Sequence, residues 1–130
     1  AVETERVAKA LAMEVVGLLS ESLRGRITAG EKVVHLHRPA ADADFVKALA
    51  SALDDTLVAE QGLLLVTVGE GLTDGTFTLA GPPDLVDKAS AGVAAALDGR
   101  GGGKGGRFQG KCKQLGAAGS AVAAAGNALA

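Results

Sequence analysis

Six consecutive positions, Leu63-Leu64-Leu65-Val66-Thr67-Val68, are almost wholly apolar and stand between Gly62 and Gly69. The run is short for a helix and suits a strand. Successive strand side chains point to opposite faces, so a strand that is apolar at every position is buried on both. Such a sheet needs cover on two sides, which makes a layered α/β fold with a small mixed sheet the expected class.

The flanking sequence supplies that cover. Val7, Leu11, Val15, Leu18 and Leu23 recur at helical spacing with Glu3, Arg6, Glu14, Glu21 and Arg24 opposite, predicting a long N-terminal amphipathic helix from about Val2 to Arg24, ended by Gly25. Lys32 to Arg38 alternates and stops at Pro39, the pattern of a strand. A second helix, capped by Asp42 or Asp44, carries the stripe Phe45, Leu49, Leu53 and Leu57, with Gly62 beyond its end. Thr76 to Ala80 alternates strictly and should pair antiparallel with the apolar strand. A third helix starts at Asp84 and carries Leu85, Val86, Ala89, Val93 and Leu97, and an Ala-rich helix spans roughly 117–129. Between these last two lies a glycine-rich loop, with a short strand near Phe108 to Lys113. The domain reading is a helix over residues 1–26 followed by one globular α/β unit over 27–130.

Packing in this chain falls to Val, Leu and Ala, because it has no Trp, no Tyr and three Phe. No apolar stretch reaches membrane-spanning length without a charge or glycine, so no membrane partner is expected. The lone Cys112 cannot close an internal disulfide, and nothing resembles a signal peptide, so the expected setting is reducing and cytoplasmic. The chain opens at Ala1-Val2 directly inside a helical pattern, as would an excised piece of a longer protein or a chain that has lost only an initiator Met.

Charge is unevenly placed. The formal net charge is −2, yet Arg100, Lys104, Arg107, Lys111 and Lys113 fall within Gly99 to Gly116 with no acid among them. That segment carries +5 and the remainder −7, and no basic residue occurs from Ala48 to Asp87. A molecule polarised in this way can present one positive face to a polyanion.

The same segment holds seven glycines in the twelve positions Gly99 to Gly110. Each glycine costs backbone entropy on ordering, so the cluster needs a reason. A flexible linker is one. The other is a binding loop that brings bare backbone and interleaved cations against sugar and phosphate. Placement between two helices of one domain, and cations rather than Ser between the glycines, favour the loop. A loop without side chains, carrying Arg and Lys at intervals of three or four, can lie flush against a ribose-phosphate backbone, and Phe108 could stack on a base. Nucleotide-loop patterns do not fit. Each Gly-Lys is followed by Gly or Cys rather than Ser or Thr, and the segment follows a helix where a dinucleotide motif follows a strand.

The run Arg100-Gly101-Gly102-Gly103-Lys104-Gly105-Gly106-Arg107-Phe108-Gln109-Gly110-Lys111 resembles the glycine-and-basic signature of the C-terminal domain of alanyl-tRNA synthetases, called C-Ala or DHHA1. Arg100 to Lys104 matches its basic–triple-glycine–basic core, and Gln109 matches a downstream Gln of the family. The resemblance implies a non-catalytic tRNA-binding domain, with Arg100, Gly101, Gly102, Gly103, Lys104, Arg107, Phe108, Gln109 and Lys111 as the RNA-binding set. It implies that the domain holds the outer corner of tRNA(Ala), assisting aminoacylation and editing by the parent alanine–tRNA ligase. No cofactor is implied for this fragment; ATP, Mg and Zn would serve the parent. The family's editing motifs, His-x-x-x-His and Cys-x-x-x-His, do not occur in this chain. Two alternatives stand beside this: a module for dimerisation through the first helix or for DNA or protein binding, and the nucleotide-binding domain of a DHH phosphoesterase. Lys104 stands where the phosphoesterase signature has His.

Other candidates are weaker. His35 and His37 share one face of a strand, but two imidazoles without further ligands favour packing over zinc. Lys111 and Lys113 flank Cys112 and could lower its thiol pKa, yet no positioned His accompanies it. Asp54, Asp55, Asp84 and Asp87 read as solvated acids rather than a metal set.

Overall fold

The computed structural model describes residues 2–38, 43–71, 73–103 and 106–129, without the side chains of 2–14, 43–44 and 128–129. Among these residues the order is α1 (Val2–Thr28), β1 (Val33–Arg38), α2 (Ala43–Glu60), β2 (Leu63–Val68), β3 (Gly75–Ala80), α3 (Pro83–Leu97), β4 (Gly99–Gly102), β5 (Arg107–Cys112), a 3-10 turn (Leu115–Ala117) and α4 (Ala118–Leu129). The strands form one mixed sheet in the order β1-β2-β3-β5-β4. β1 and β2 are parallel, joined through α2, and the other pairs are antiparallel. The class is layered α/β, as the apolar run of β2 requires.

That run is divided between two cores. Leu64 and Val66 belong to the cluster built with α1 and α2, which includes Val16, Leu23, Ile27, Leu49, Leu53 and Leu57. Leu63 and Leu65 belong to the opposite cluster, with Val86, Val93 and Leu97 of α3 and Ala121 and Ala125 of α4. Both sets of β2 leucines are fully buried. The small side chains of α4 allow it to lie close against α3, where a Cβ on Gly92 would already stand 3.3 Å from that of Ala124.

α1 departs from expectation in two ways. It runs through Gly25 to Thr28 and ends at Gly30, whose φ of 114° suits glycine. There the amide of Glu31 donates to the carbonyl of Arg26 at 3.2 Å and that of Gly30 to Ile27 at 3.1 Å, a Schellman-type end. Leu18 is 70 % exposed, not part of the apolar stripe; Val16, Leu19, Leu23 and Ile27 face the core. The side chains of Val7, Leu11 and the expected cap Asp44, and the whole of the other expected cap Asp42, lie outside the described residues. Arg24 fastens α1 to α2, donating from Nη2 to the Ala52 carbonyl (2.8 Å) and from Nε to Thr56 Oγ1 (3.0 Å).

A further difference lies at the other end of the chain. The glycine-rich segment is not a loop but a β-hairpin, β4 and β5, on the edge of the sheet. Asp98 ends α3 in the left-handed region (φ 49°), and the amides of Lys113 and Gln114 close on the Leu97 carbonyl at 3.2 and 2.9 Å. The far end of the hairpin strand is thereby tied to the end of the helix that precedes it. No helix among the described residues is long and apolar enough to cross a membrane.

Candidate nucleic-acid interface

Strand pairing decides which side chains share a face. On β3, Phe77 and Leu79 enter the α3–α4 core, so Thr76, Thr78 and Ala80 face the α1–α2 side. Directly opposed residues of paired strands share a face. The register therefore adds Lys111 opposite Thr76, Gln109 opposite Thr78 and Arg107 opposite Ala80, and then Arg100 opposite Lys111 and Gly102 opposite Gln109. The helical layer covers β1, β2 and the Ala80 end of β3. Beyond it the sheet is open: Thr76, Gln109, Lys111, Arg100 and Gly102 are exposed and Thr78 is half-buried.

Arg100, Gly102, Gln109 and Lys111 thus come together on one uncovered face. Arg107 lies at its margin, where Nη1 meets Asp54 Oδ1 of α2 at 3.2 Å, so this cation is partly neutralised within the chain. Arg100 and Lys111 have no ion-pair partner among the described residues. Phe108 points to the opposite face, half-buried against the α3–α4 core, with its ring centroid 5.7 Å from that of Phe77. Lys104 lies outside the described residues.

The glycines have internal reasons that their number alone does not reveal. Gly101 and Gly110 oppose each other across the hairpin. A Cβ on Gly101 would strike the Gln109 carbonyl, and one on Gly110 the Arg100 carbonyl and the Gly101 Cα. A Cβ on Gly103 would likewise strike the Arg107 carbonyl. Gly102 differs, because a Cβ there meets nothing within 4 Å. Packing thus places no demand on Gly102, whereas Gly101, Gly103 and Gly110 are needed by the hairpin itself.

Two threonines of this face were not among the residues singled out from sequence. The alternation Thr76-Phe77-Thr78-Leu79 carried the signal, since the residues between buried positions on a strand must face away from that core. At one end of the face, Asp74, Gly75, Asp98, Gly99, Arg100, Lys111, Cys112 and Lys113 line an open cleft of about 680 Å³.

Cys112 is buried, and burial raises its thiol pKa, with Asp74 adding to the rise and the Gln114 amide opposing it. The flanking lysines do not produce the lowered value that their sequence position suggested. His35 Nε2 and His37 Nδ1 each lie 2.9 Å from the hydroxyl of the fully buried Thr67. Burial lowers the pKa of His35, with His37 and Arg26 adding to the effect. No group of three His, Cys, Asp or Glu side chains among the described residues could hold a metal ion.

No family model matches the chain. Among solved structures, the C-Ala domain of Aquifex aeolicus alanyl-tRNA synthetase superposes with a TM-score of 0.56, covering 75 % of this chain and 87 % of that domain at 20 % identity. The chain has the fold of a C-Ala domain. The C-Ala fold here also matches part of the exonuclease RecJ bound to manganese, with a TM-score of 0.64 over 92 % of this chain and 29 % of RecJ, at 16 % identity. In sequence, this C-Ala-like chain is 37 % identical over 105 residues to alanyl-tRNA editing protein Aarsd1-A of Xenopus laevis, 81 % of the chain and 24 % of that protein. It is 41 % identical over 83 residues to alanyl-tRNA editing protein Aarsd1 of Mus musculus, 64 % of the chain and 19 % of that protein. The chain thus spans about a quarter or less of the length of these relatives.

Proposed function

We propose that this chain is a non-catalytic RNA-binding module of a protein that acts on alanyl-tRNA, and that its open sheet face holds tRNA(Ala) at the outer corner. Catalytic residues would belong to other parts of the parent protein, an alanyl-tRNA editing protein or an alanyl-tRNA synthetase. The identity of 37–41 % to alanyl-tRNA editing proteins favours the first of these parents over the ligase expected from sequence. The observation that carries the proposal is the uncovered face on which Arg100 and Lys111 stand side by side, unpaired among the described residues, in a chain whose remainder is acidic. Such a pair attracts phosphate while the rest of the surface repels it, which orients the molecule on its ligand.

The test is binding of tRNA(Ala) at several salt concentrations, beside duplex DNA of equal charge. Replacing Arg100 and Lys111 together by Ala weakens tRNA binding and flattens the log–log salt dependence by roughly one unit per lost phosphate contact. An unchanged affinity would remove this face from the site. The second reading, a module of a DHH phosphoesterase, is checked by incubation with short oligonucleotides and manganese. No cleavage is expected, because Lys104 stands where the signature of that family has His.

A further inference from the structure

The open face is built in transverse rows. One row is Thr76–Lys111–Arg100 and the next is Thr78–Gln109–Gly102. Neighbouring rows are two residues apart along a strand, about 6.6–6.8 Å. A cationic row therefore lies beside a neutral row that offers a hydroxyl, an amide and a vacant place. Among the described residues, the side chains of Thr76, Thr78 and Gln109 make no hydrogen bond, and nothing in the packing requires Gly102 to lack a side chain.

Charge alone cannot separate RNA from DNA, because both present the same phosphates. Neutral donors and acceptors fixed beside the cations can, through the 2′-hydroxyl. Base stacking is not the device here, since Phe108 points into the opposite core and no described residue of the open face is aromatic. This favours the backbone of a structured RNA over an unstacked single strand.

Resting on the RNA-binding reading, we infer that Thr78 and Gln109 form a ribose-reading strip. Arg100 and Lys111 hold a phosphate, the Thr78 hydroxyl and the Gln109 amide exchange hydrogen bonds with the 2′-hydroxyl of the adjoining nucleotide, and the space over Gly102 admits the sugar. The face thereby selects RNA over DNA of the same sequence and charge.

The experiment uses the whole chain with an RNA stem-loop, its all-deoxy counterpart and a 2′-O-methyl version, followed by fluorescence anisotropy at two salt concentrations. Wild type binds the RNA about tenfold more tightly than the DNA, the effect of one or two neutral hydrogen bonds. The double variant Thr78→Val with Gln109→Met brings that ratio toward one and leaves the salt slope unchanged. Thr78→Ser, which keeps the hydroxyl, preserves the preference. Gly102→Leu, placed in open space, lowers RNA affinity without touching the core, and so serves where the double variant fails to fold. Equal binding of RNA and DNA by wild type overturns the inference and leaves the nucleic-acid reading standing. A double variant that keeps the full ratio also overturns it. Binding to neither nucleic acid sinks both.

Discussion

The row Leu36, Val66, Thr78, Gln109, Gly102 crosses the whole sheet on one face. Leu36 and Val66 pack beneath α1 and α2, while the other three positions lie where that layer has ended. The backbone is equally regular on both sides of the boundary, and what changes is the chemistry of the side chains. One half of the sheet stabilises the fold and the other is free to meet a ligand. The Arg107–Asp54 pair stands at the border, joining the exposed strand to the covering helix.

This contrast can be broken most strongly on its covered side. Leu64→Ala removes a fully buried side chain of the α1–α2 core and is expected to cost about 2–5 kcal/mol, whereas Gln109→Ala on the open side stays within about 0.5 kcal/mol. Urea unfolding of the two variants measures the difference, and equal losses would mean that the open half is structurally covered after all.

Within the hairpin the contrast repeats on a smaller scale. Gly110→Ala forces a Cβ into the opposing strand and is expected to cost about 1–3 kcal/mol. Gly102→Ala meets open space and should be neutral or mildly stabilising, by up to about 1 kcal/mol, because Ala loses less chain entropy on folding. Thermal melts of both distinguish the glycine the fold requires from the one it does not.

His35, on the covered half, gives a pH signature. Its folded pKa lies below 6.5, so the unfolded chain binds the proton more readily. The contribution of the neutral ring to stability is complete above 6.5 and is lost as pH falls from there through the lowered folded value. Urea midpoints at pH 7.5 and 5.5 should differ in that direction, and His35→Gln should reduce the difference. The smallest effect is expected at the border. Arg107→Ala breaks a half-exposed pair that solvent screens, costing about 0.2–1 kcal/mol in the same assay.

Much of the architecture was legible because its signals are local. The β2 run announced two cores, the β3 alternation announced an antiparallel partner, and Val86, Ala89, Val93 and Leu97 of α3 are buried as their spacing required. β4 was not legible, because Gly-Arg-Gly-Gly has no strand preference of its own and is extended only through pairing with β5. Leu18 and Leu19 are adjacent and equally apolar, and packing against α2 rather than periodicity selects Leu19. Gly25 sits exposed within α1 with nothing near it, where a glycine costs about 1 kcal/mol and the helix tolerates it. At the interface, charge placement pointed to Arg100 and Lys111 and the family resemblance to Gln109, but only the register puts them beside Thr76 and Thr78. Phe108 alternates with Arg107 and Gln109 and so had to leave their face once the segment became a strand.

The Thr67 hydroxyl has a consequence for the two imidazoles that meet it. It owns a single hydrogen, so with both rings neutral that hydrogen is satisfied only by donating to one nitrogen, which leaves the oxygen to accept from the other. If it donates to His35 Nε2, then His35 carries its proton on Nδ1, and His37, donating from Nδ1, does too. If it donates to His37 Nδ1, both rings carry theirs on Nε2. With that hydrogen satisfied, the two rings carry matching tautomers that change together, and nitrogen chemical shifts recorded on either ring then report the state of its neighbour.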